Sequence, residues 1–462
     1  MKKISTLICG VIMMASLLSA QTFEPTWASI DSRPVPEWFQ DAKFGIFIHW
    51  GLYSVPAWGP TKDVGIYEKY AEWYWYSLTN PNRQSYGQFN DFHKRAYGER
   101  FKYQDFAGLF KCEMFEPEEW ARVFKQAGAK YVVLTSKHHE GFCLWPSAQS
   151  WNWNAVDVGP HRDLAGDLIK AVRAADLHMG YYYSLYEWSN PLYRSDVNAY
   201  VDQHMIPQIK DLVTRYEPDI LWTDGEWDHP SEVWKATEIL SWLYNESPVK
   251  DHVVINDRWG KETRGKHGGI WTTEYDLVHE GNASEMEIEH YWEECRGIGT
   301  SFGFNRNEYL ENYSTSEELV EILINKVARG GNLLLNIGPT ADGRIPVIMQ
   351  QRLTDMGDWL KVNGEAIYAT RKWDKAPKVT NRTTVYFTQK GGDLYVICTE
   401  FPTKAVTVQG IVAPKNVSLL GWPGSVKSSF KNGVLTIEPP AVTPADNPCD
   451  YAWTFKLAGA LK

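Results

Sequence analysis

The feature that most restricts this chain is a series of near-continuous apolar runs, most of which stop at polar or ionisable residues at the same end. They cover about 44–48, 131–136, 180–184, 220–222, 252–255 and 332–337. Strands buried on both faces read this way, whereas half-exposed strands alternate, so the runs predict a parallel sheet. Amphipathic stripes separate them: Trp120, Val123, Phe124, Ala127; Leu164, Leu168, Val172, Ala175; and Met205, Ile209, Leu212, Val213, Tyr216 despite Pro207. Thr315 and Glu318 form a capping box before Leu319, Leu323 and Val327, and Gly364 is placed as a C-cap after the stripe of Met349, Leu353, Met356 and Leu360. Strand and helix alternating over this length predict an α/β fold, a (β/α)8-like TIM barrel, although eight strands are not all legible. The polar, aromatic, irregular stretch from about 53 to 115 is read as loops over the site.

From about Trp373 the texture changes to short β-type runs punctuated by Gly, Pro and Asn (384–388, 394–398, 406–408, 417–420, 434–437 and 452–457). They predict a small C-terminal antiparallel β-sandwich. At the other end, Lys2 and Lys3 precede an apolar run to Leu18, and Ser19-Ala20 offers a cleavage point. The expected organisation is a signal peptide over 1–20, a catalytic barrel over 21–372 and the sandwich over 373–462. The leader implies export, with the periplasm as the expected compartment and no membrane insertion after cleavage. Five cysteines outside the leader, odd in number and widely spaced, do not resemble a disulfide framework.

The polar strand ends collect His49, His138, His139, Asp224 and Arg258, with Glu274 in an intervening stretch. A barrel turns one end of its strands into a ring, so these residues converge at its mouth. Asp224 also has a plainer reading, as the cap of an Asp-Gly turn. His138 and His139 are adjacent, which on an extended strand sends them to opposite sides, and no His-Glu-x-x-His spacing accompanies them, so neither a metal nor another cofactor is expected. No Gly-x-Ser-x-Gly elbow occurs. What remains is carboxylate chemistry, and paired acids are the equipment of glycoside cleavage. The 22 Trp and 25 Tyr suit sugar faces as well as large cores, and a net charge of −10 argues against nucleic acid or anionic membrane as a partner. Oligomeric state is not readable.

Longer blocks carry a resemblance. Trp38-Phe39 with the stretch from Ala42 to Pro56, then Glu72-Trp73-Tyr74, then Lys137-His138-His139-Glu140-Gly141-Phe142 (Glu140 where Asp is usual) resemble successive blocks of the retaining α-L-fucosidases, glycoside hydrolase family 29. Leu221-Trp222-Thr223-Asp224-Gly225, Asn256-Asp257-Arg258-Trp259-Gly260, Thr272-Thr273-Glu274-Tyr275, Trp292-Glu293 through Asn305, and the stretch from Gly330 to Pro339 continue in that family's order. The resemblance implies a fucosylated glycan as substrate, Asp224 as nucleophile and Glu274 as acid/base, with Glu293 and Glu294 as rivals and Glu226 hydrated at the rim. It implies His49, Glu72, His138, His139, Tyr183 and Arg258 as sugar-binding groups and Trp73, Trp222 and Phe302 as apolar walls. A silent sugar-binding barrel and a glycosidase for a related sugar stay open as alternatives.

Overall fold

The computed structural model describes residues 22–278, 281–282, 289–376 and 384–462; the expected leader lies outside them. Among the described residues, eight strands run parallel: β1 (Phe44–Ile48), β2 (Tyr131–Lys137), β3 (His178–Ser184), β4 (Ile220–Asp224), β5 (Val254–Ile255), β6 (Trp271–Glu274), β7 (Trp292–Gly297) and β8 (Asn332–Ile337). Ladders join β1 to β2, β2 to β3, β3 to β4, β4 to β5, β6 to β7, β7 to β8 and β8 back to β1. Between β5 and β6 the ring is completed only by a parallel bridge, Asn256 to Ile270, with the Ile270 N–H donating to Ile255 O at 2.9 Å.

The strand runs are apolar because each serves two cores. Phe47, Tyr131, Val133, Tyr182, Trp222 and Leu334 fill the barrel interior. Their chain neighbours Ile46, Ile48, Val132, Leu134, Tyr181 and Leu221 pack outward against the helices. Side chains alternate across a strand, so the face of every residue follows from one fixed point.

The expected stripes become helices Pro117–Gln126, Leu164–Ala174, Ile206–Tyr216, Ser316–Ala328 and Val347–Asn363. Pro207 does not interrupt the third, because it occupies the first turn after a π-type turn at Val201–Met205, where no intrahelical N–H is needed. The capping box forms in both directions: Thr315 Oγ1 accepts from the Glu318 N–H at 3.2 Å, and Glu318 Oε2 accepts from the Thr315 N–H at 2.7 Å. Gly364 departs from expectation. Its φ is −58°, and the chain runs on into a 3-10 turn, so it is no left-handed cap. A Cβ there would lie 2.8 Å from the Tyr368 ring, and that close approach is what calls for glycine. The 53–115 stretch holds 3-10 turns and two helices, Tyr74–Thr79 and Tyr86–Tyr97. Helix Ala236–Asn245 was not expected either.

Beyond Ala369 come β9 (Arg371–Lys372), β10 (Val385–Lys390), β11 (Asp393–Cys398), β12 (Val406–Gln409), β13 (Asn416–Leu419), β14 (Lys427–Lys431), β15 (Val434–Glu438) and β16 (Trp453–Ala458). One antiparallel sheet is ordered β9-β10-β11-β16-β13 and the other β12-β15-β14. Their facing residues, among them Val396, Phe455, Val408, Leu435 and Ile437, share one core. The sandwich docks on the barrel helices through Trp359 Nε1 to Ala452 O (2.8 Å) and Tyr386 OH to Glu321 Oε1 (3.1 Å). The five described cysteines are free thiols. Among the described residues no helix is long and apolar enough to cross a membrane.

Candidate active site

In β4, Ile220 and Trp222 point into the barrel, so Asp224 carries the same parity to the mouth. The chain then turns at Gly225 (φ 75°), where a Cβ would come within 2.5 Å of Tyr186. Asp224 Oδ1 accepts from Arg258 Nη1 at 2.6 Å and Oδ2 from the Tyr182 hydroxyl at 2.9 Å. His139 Nε2 stands 3.8 Å from Oδ2. Burial pushes this carboxyl up, but the Arg258 charge together with the hydrogen bonds from Arg258 and Tyr182 outweighs it and holds Asp224 well below the usual carboxylate range.

Glu274 ends β6, its side chain 19% exposed. Its Oε1 accepts from the Tyr70 hydroxyl at 3.0 Å, and Oε2 lies 3.6 Å from Arg258 Nη2. Burial pushes this carboxyl up, Arg258 opposes and Asp224 adds to the rise. The two terminal nitrogens of one guanidinium therefore face the two acids, and the two acids are pushed in opposite directions. Arg258 is itself fixed by Nε donating to Thr272 Oγ1 (3.0 Å) and by its plane lying 4.5 Å over the Trp222 ring.

The histidines cluster around Tyr182. His49 Nδ1 meets Asn336 Oδ1 at 2.7 Å, while the Asn336 amide donates to Phe302 O at 2.7 Å, so the proton of the first contact sits on the ring. The Ser184 hydroxyl donates to Tyr186 O (2.6 Å), so the 2.6 Å contact of His139 Nδ1 with Ser184 Oγ likewise has its proton on the ring, leaving Nε2 towards Asp224. His138 and His139 do not diverge as expected. β2 ends at Lys137 with a register shift, and the two rings, 4.1 Å apart, pack on the same side against Tyr182. Burial keeps all three rings neutral, lowering His138 to about 3. Glu72 is buried, accepting from the Gly303 N–H (2.8 Å) and Ser301 Oγ (3.1 Å), and burial raises it to about 7. Trp222 floors the site, Phe302 stands 4.8 Å from His49, and Trp73 stands 5.1 Å from His139.

Tyr183 is not in the site. It faces the outer core, its hydroxyl donating to Gln208 Oε1 at 2.8 Å. Tyr182 takes the place given to it: β3 pairs in register with β4, Tyr182 beside Trp222 and Ser184 beside Asp224. Glu226 is also misplaced by the sequence reading. It is fully buried rather than hydrated, and neither carboxyl oxygen has a hydrogen-bond partner among the described residues. Burial raises it to about 7, with Arg264 opposing and Asp224 adding. Of the rival acids, Glu293 lies beneath the floor, bonded to Tyr131 and to Trp222 Nε1 (3.1 Å). Glu294 faces outward to Thr273, the Asp276 N–H (2.9 Å) and Arg296 (3.2 Å). Tyr70, Ser184, Asn336 and Trp227, whose ring stands 5.5 Å from His139 and is stacked with Trp73 at 6.2 Å, shape the site without having been singled out in the sequence. Only strand parity, for Ser184 and Asn336, carried any signal of them.

Two family models match this chain: one described as Alpha-L-fucosidase over residues 11–365, the other as Alpha-L-fucosidase C-terminal domain over residues 378–458. The chain is 44% identical to the tissue alpha-L-fucosidase of Homo sapiens, covering 95% of this chain and 92% of that protein. It is 43% identical to an alpha-L-fucosidase of Branchiostoma floridae, covering 98% and 100%. Among solved structures it is similar to the Thermotoga maritima alpha-fucosidase in complex with fucose (TM-score 0.77, 36% identity, 94% of this chain and 99% of that one).

Proposed function

The chain belongs to the alpha-L-fucosidase family, and from that premise we propose how its own residues carry out retaining hydrolysis of a terminal α-L-fucoside. Asp224, kept ionised by Arg258 and Tyr182, attacks the anomeric carbon. Glu274, whose carboxyl is pushed up, holds a proton and delivers it to the departing glycosidic oxygen. The sugar is then esterified to Asp224 and the nucleophile's charge is gone. The repulsion that helped raise Glu274 goes with it, while Arg258 still faces Glu274 at 3.6 Å. Its proton affinity falls as it must act as a base on water. A second displacement at the same carbon returns the original configuration.

His49, His138, His139 and Tyr182 bind the hydroxyls of the fucose ring, with Glu72 bracing the loop over it. Trp222, Phe302 and Trp73 form the apolar surfaces that receive its C–H face and C5 methyl. The observation that carries this reading is the single guanidinium facing two carboxyls of opposite proton affinity at the barrel mouth. Trapping with a 2-fluoro-fucosyl fluoride followed by peptide mapping tests it: a label on Asp224 supports the assignment, and a label on any other residue ends it. Release of nitrophenol from the aryl α-L-fucoside separates an enzyme from a silent sugar-binding barrel.

Export to the periplasm is part of the same proposal. It is supported by the charged and then apolar start of the sequence, and N-terminal sequencing of the mature protein checks it.

A further inference from the structure

Next to the mouth lies a cavity of about 230 Å³, lined by Trp75, Tyr76, Thr79, Trp188 and Arg194. Trp188 is a wall common to both spaces. On one side its ring stands 5.5 Å from His139 and 5.4 Å from Trp73, and its backbone N–H donates to His139 O at 2.7 Å. On the other it is stacked with Tyr76 at 5.5 Å and meets Trp75 edge-on at 6.3 Å. A ligand held among these rings sits one aromatic thickness from the bound fucose. The space suits a single pyranose unit, with ring faces for its C–H groups.

The charge is the informative part. Arg194 is exposed and has no ion pair or hydrogen bond among the described residues. Its surroundings are not short of partners for other groups. Arg83, on the far side of Tyr76, is paired with Glu68 at 3.1 Å, and Asp228 is held by the Tyr193 hydroxyl at 2.9 Å. Arg194 is one of several exposed cations without a partner among the described residues of this chain of net charge −10, and it lines an aromatic cavity beside the main site.

We propose that this cavity is an aglycone subsite for a sugar unit bearing an anionic group, its ring against Trp75, Tyr76 and Trp188 and its anion on Arg194. The inference rests on the fucosidase reading of the main site and adds the class of glycan that site serves. A carboxylate of an acidic sugar and a sulfate ester present the same chemistry to a guanidinium.

The test compares wild type with Arg194→Gln on fucosylated trisaccharides of one linkage in three forms, neutral, carboxylate-bearing and sulfated, with nitrophenyl α-L-fucoside as the reference. Wild type is expected to favour at least one anionic form over the neutral one by about tenfold in kcat/KM, the low end for one charge-assisted hydrogen bond because the guanidinium is exposed. The substitution should erase that preference and leave nitrophenyl fucoside turnover unchanged, and raised salt should erode the preference in wild type. The two anionic arms show which anion is taken. Equal kcat/KM on neutral and anionic glycans by wild type overturns the proposal, as does an equal loss on all glycans in Arg194→Gln. Failure of wild type to cleave the nitrophenyl fucoside overturns the main-site reading instead, so the two failures are distinct.

Discussion

Arg258 is the residue whose replacement tests most of the electrostatic argument at once. In Arg258→Gln, Asp224 loses its 2.6 Å partner and Glu274 its 3.6 Å one, leaving two carboxyls at the barrel mouth without the cation between them. Breaking a buried ion pair by removing one member costs about 3–5 kcal/mol. Part of that is relieved when one acid takes up a proton. At 1.36 kcal/mol per pH unit, a rise of roughly 2–3 units in the proton affinity of Asp224 absorbs most of it.

The assay is kcat/KM against pH with the nitrophenyl fucoside. Turnover needs Asp224 ionised, so the acid limb of the profile should move upward by about 2 units. Arg258→Lys keeps a charge but cannot face both acids with separate nitrogens, and should fall between. Stability gives a second readout. The folded carboxyl of Asp224 is depressed, so it contributes stability above its unfolded value of about 3.9 that is lost as pH falls through the folded one. The Tm deficit of Arg258→Gln should therefore be full near neutrality and shrink below about pH 4. An acid limb that does not move in Arg258→Gln refutes the reasoning.

Asp224→Ala should abolish turnover, and any reaction driven by added azide should give the inverted product. Glu274→Ala should cut kcat/KM far more on natural glycans than on aryl fucosides with good leaving groups, since the latter need little protonation; equal losses on both would shift the acid role elsewhere. Tyr182→Phe should lower kcat/KM by roughly tenfold or more through the lost bond to Asp224, whereas Tyr183→Phe should cost about 1–3 kcal/mol of stability and leave kinetics alone; the reverse pattern would sink the parity argument. Glu72, Glu226 and Glu293 are raised to about 7 and Glu140 to about 8, so the folded state holds protons that the unfolded state releases above about pH 4.3. Tm should then fall as pH rises from about 4 towards 8, and Glu226→Gln should flatten that slope, as thermal melts across this range would reveal.

Six of the eight barrel strands were legible because both of their faces are apolar. β6 and β7 were not, because Thr272, Thr273, Glu274, Glu293, Glu294 and Arg296 look like surface residues one at a time. They are tolerable inside only as partners of Asp257, Arg258, Tyr131 and each other, and a local pattern cannot show partners that lie 14 to 162 residues away. Asp224 was legible because it closes an apolar run. Tyr182 was also within reach, since parity from Trp222 and the in-register neighbour strand puts it inside. Three consecutive tyrosines hid which of them counted. Glu226 was misread because two residues past a strand end usually means water, yet here the turn at Gly225 sends the chain back into protein.

The gap between β5 and β6, spanned by one bridge, gives the wall a buckle. The chain that crosses it, residues 256–270, carries Arg258 and Arg264; Asp257 grips Thr272 and the Gly265 N–H across the gap, and Thr223 holds Asn256 and the Arg258 carbonyl on the β4 side. Strain or heating should open the cylinder there first, with the amide of Ile270 exchanging before those of β1 or β2. The guanidinium would be displaced while the rest of the shell still stands, so loss of activity should precede loss of fold.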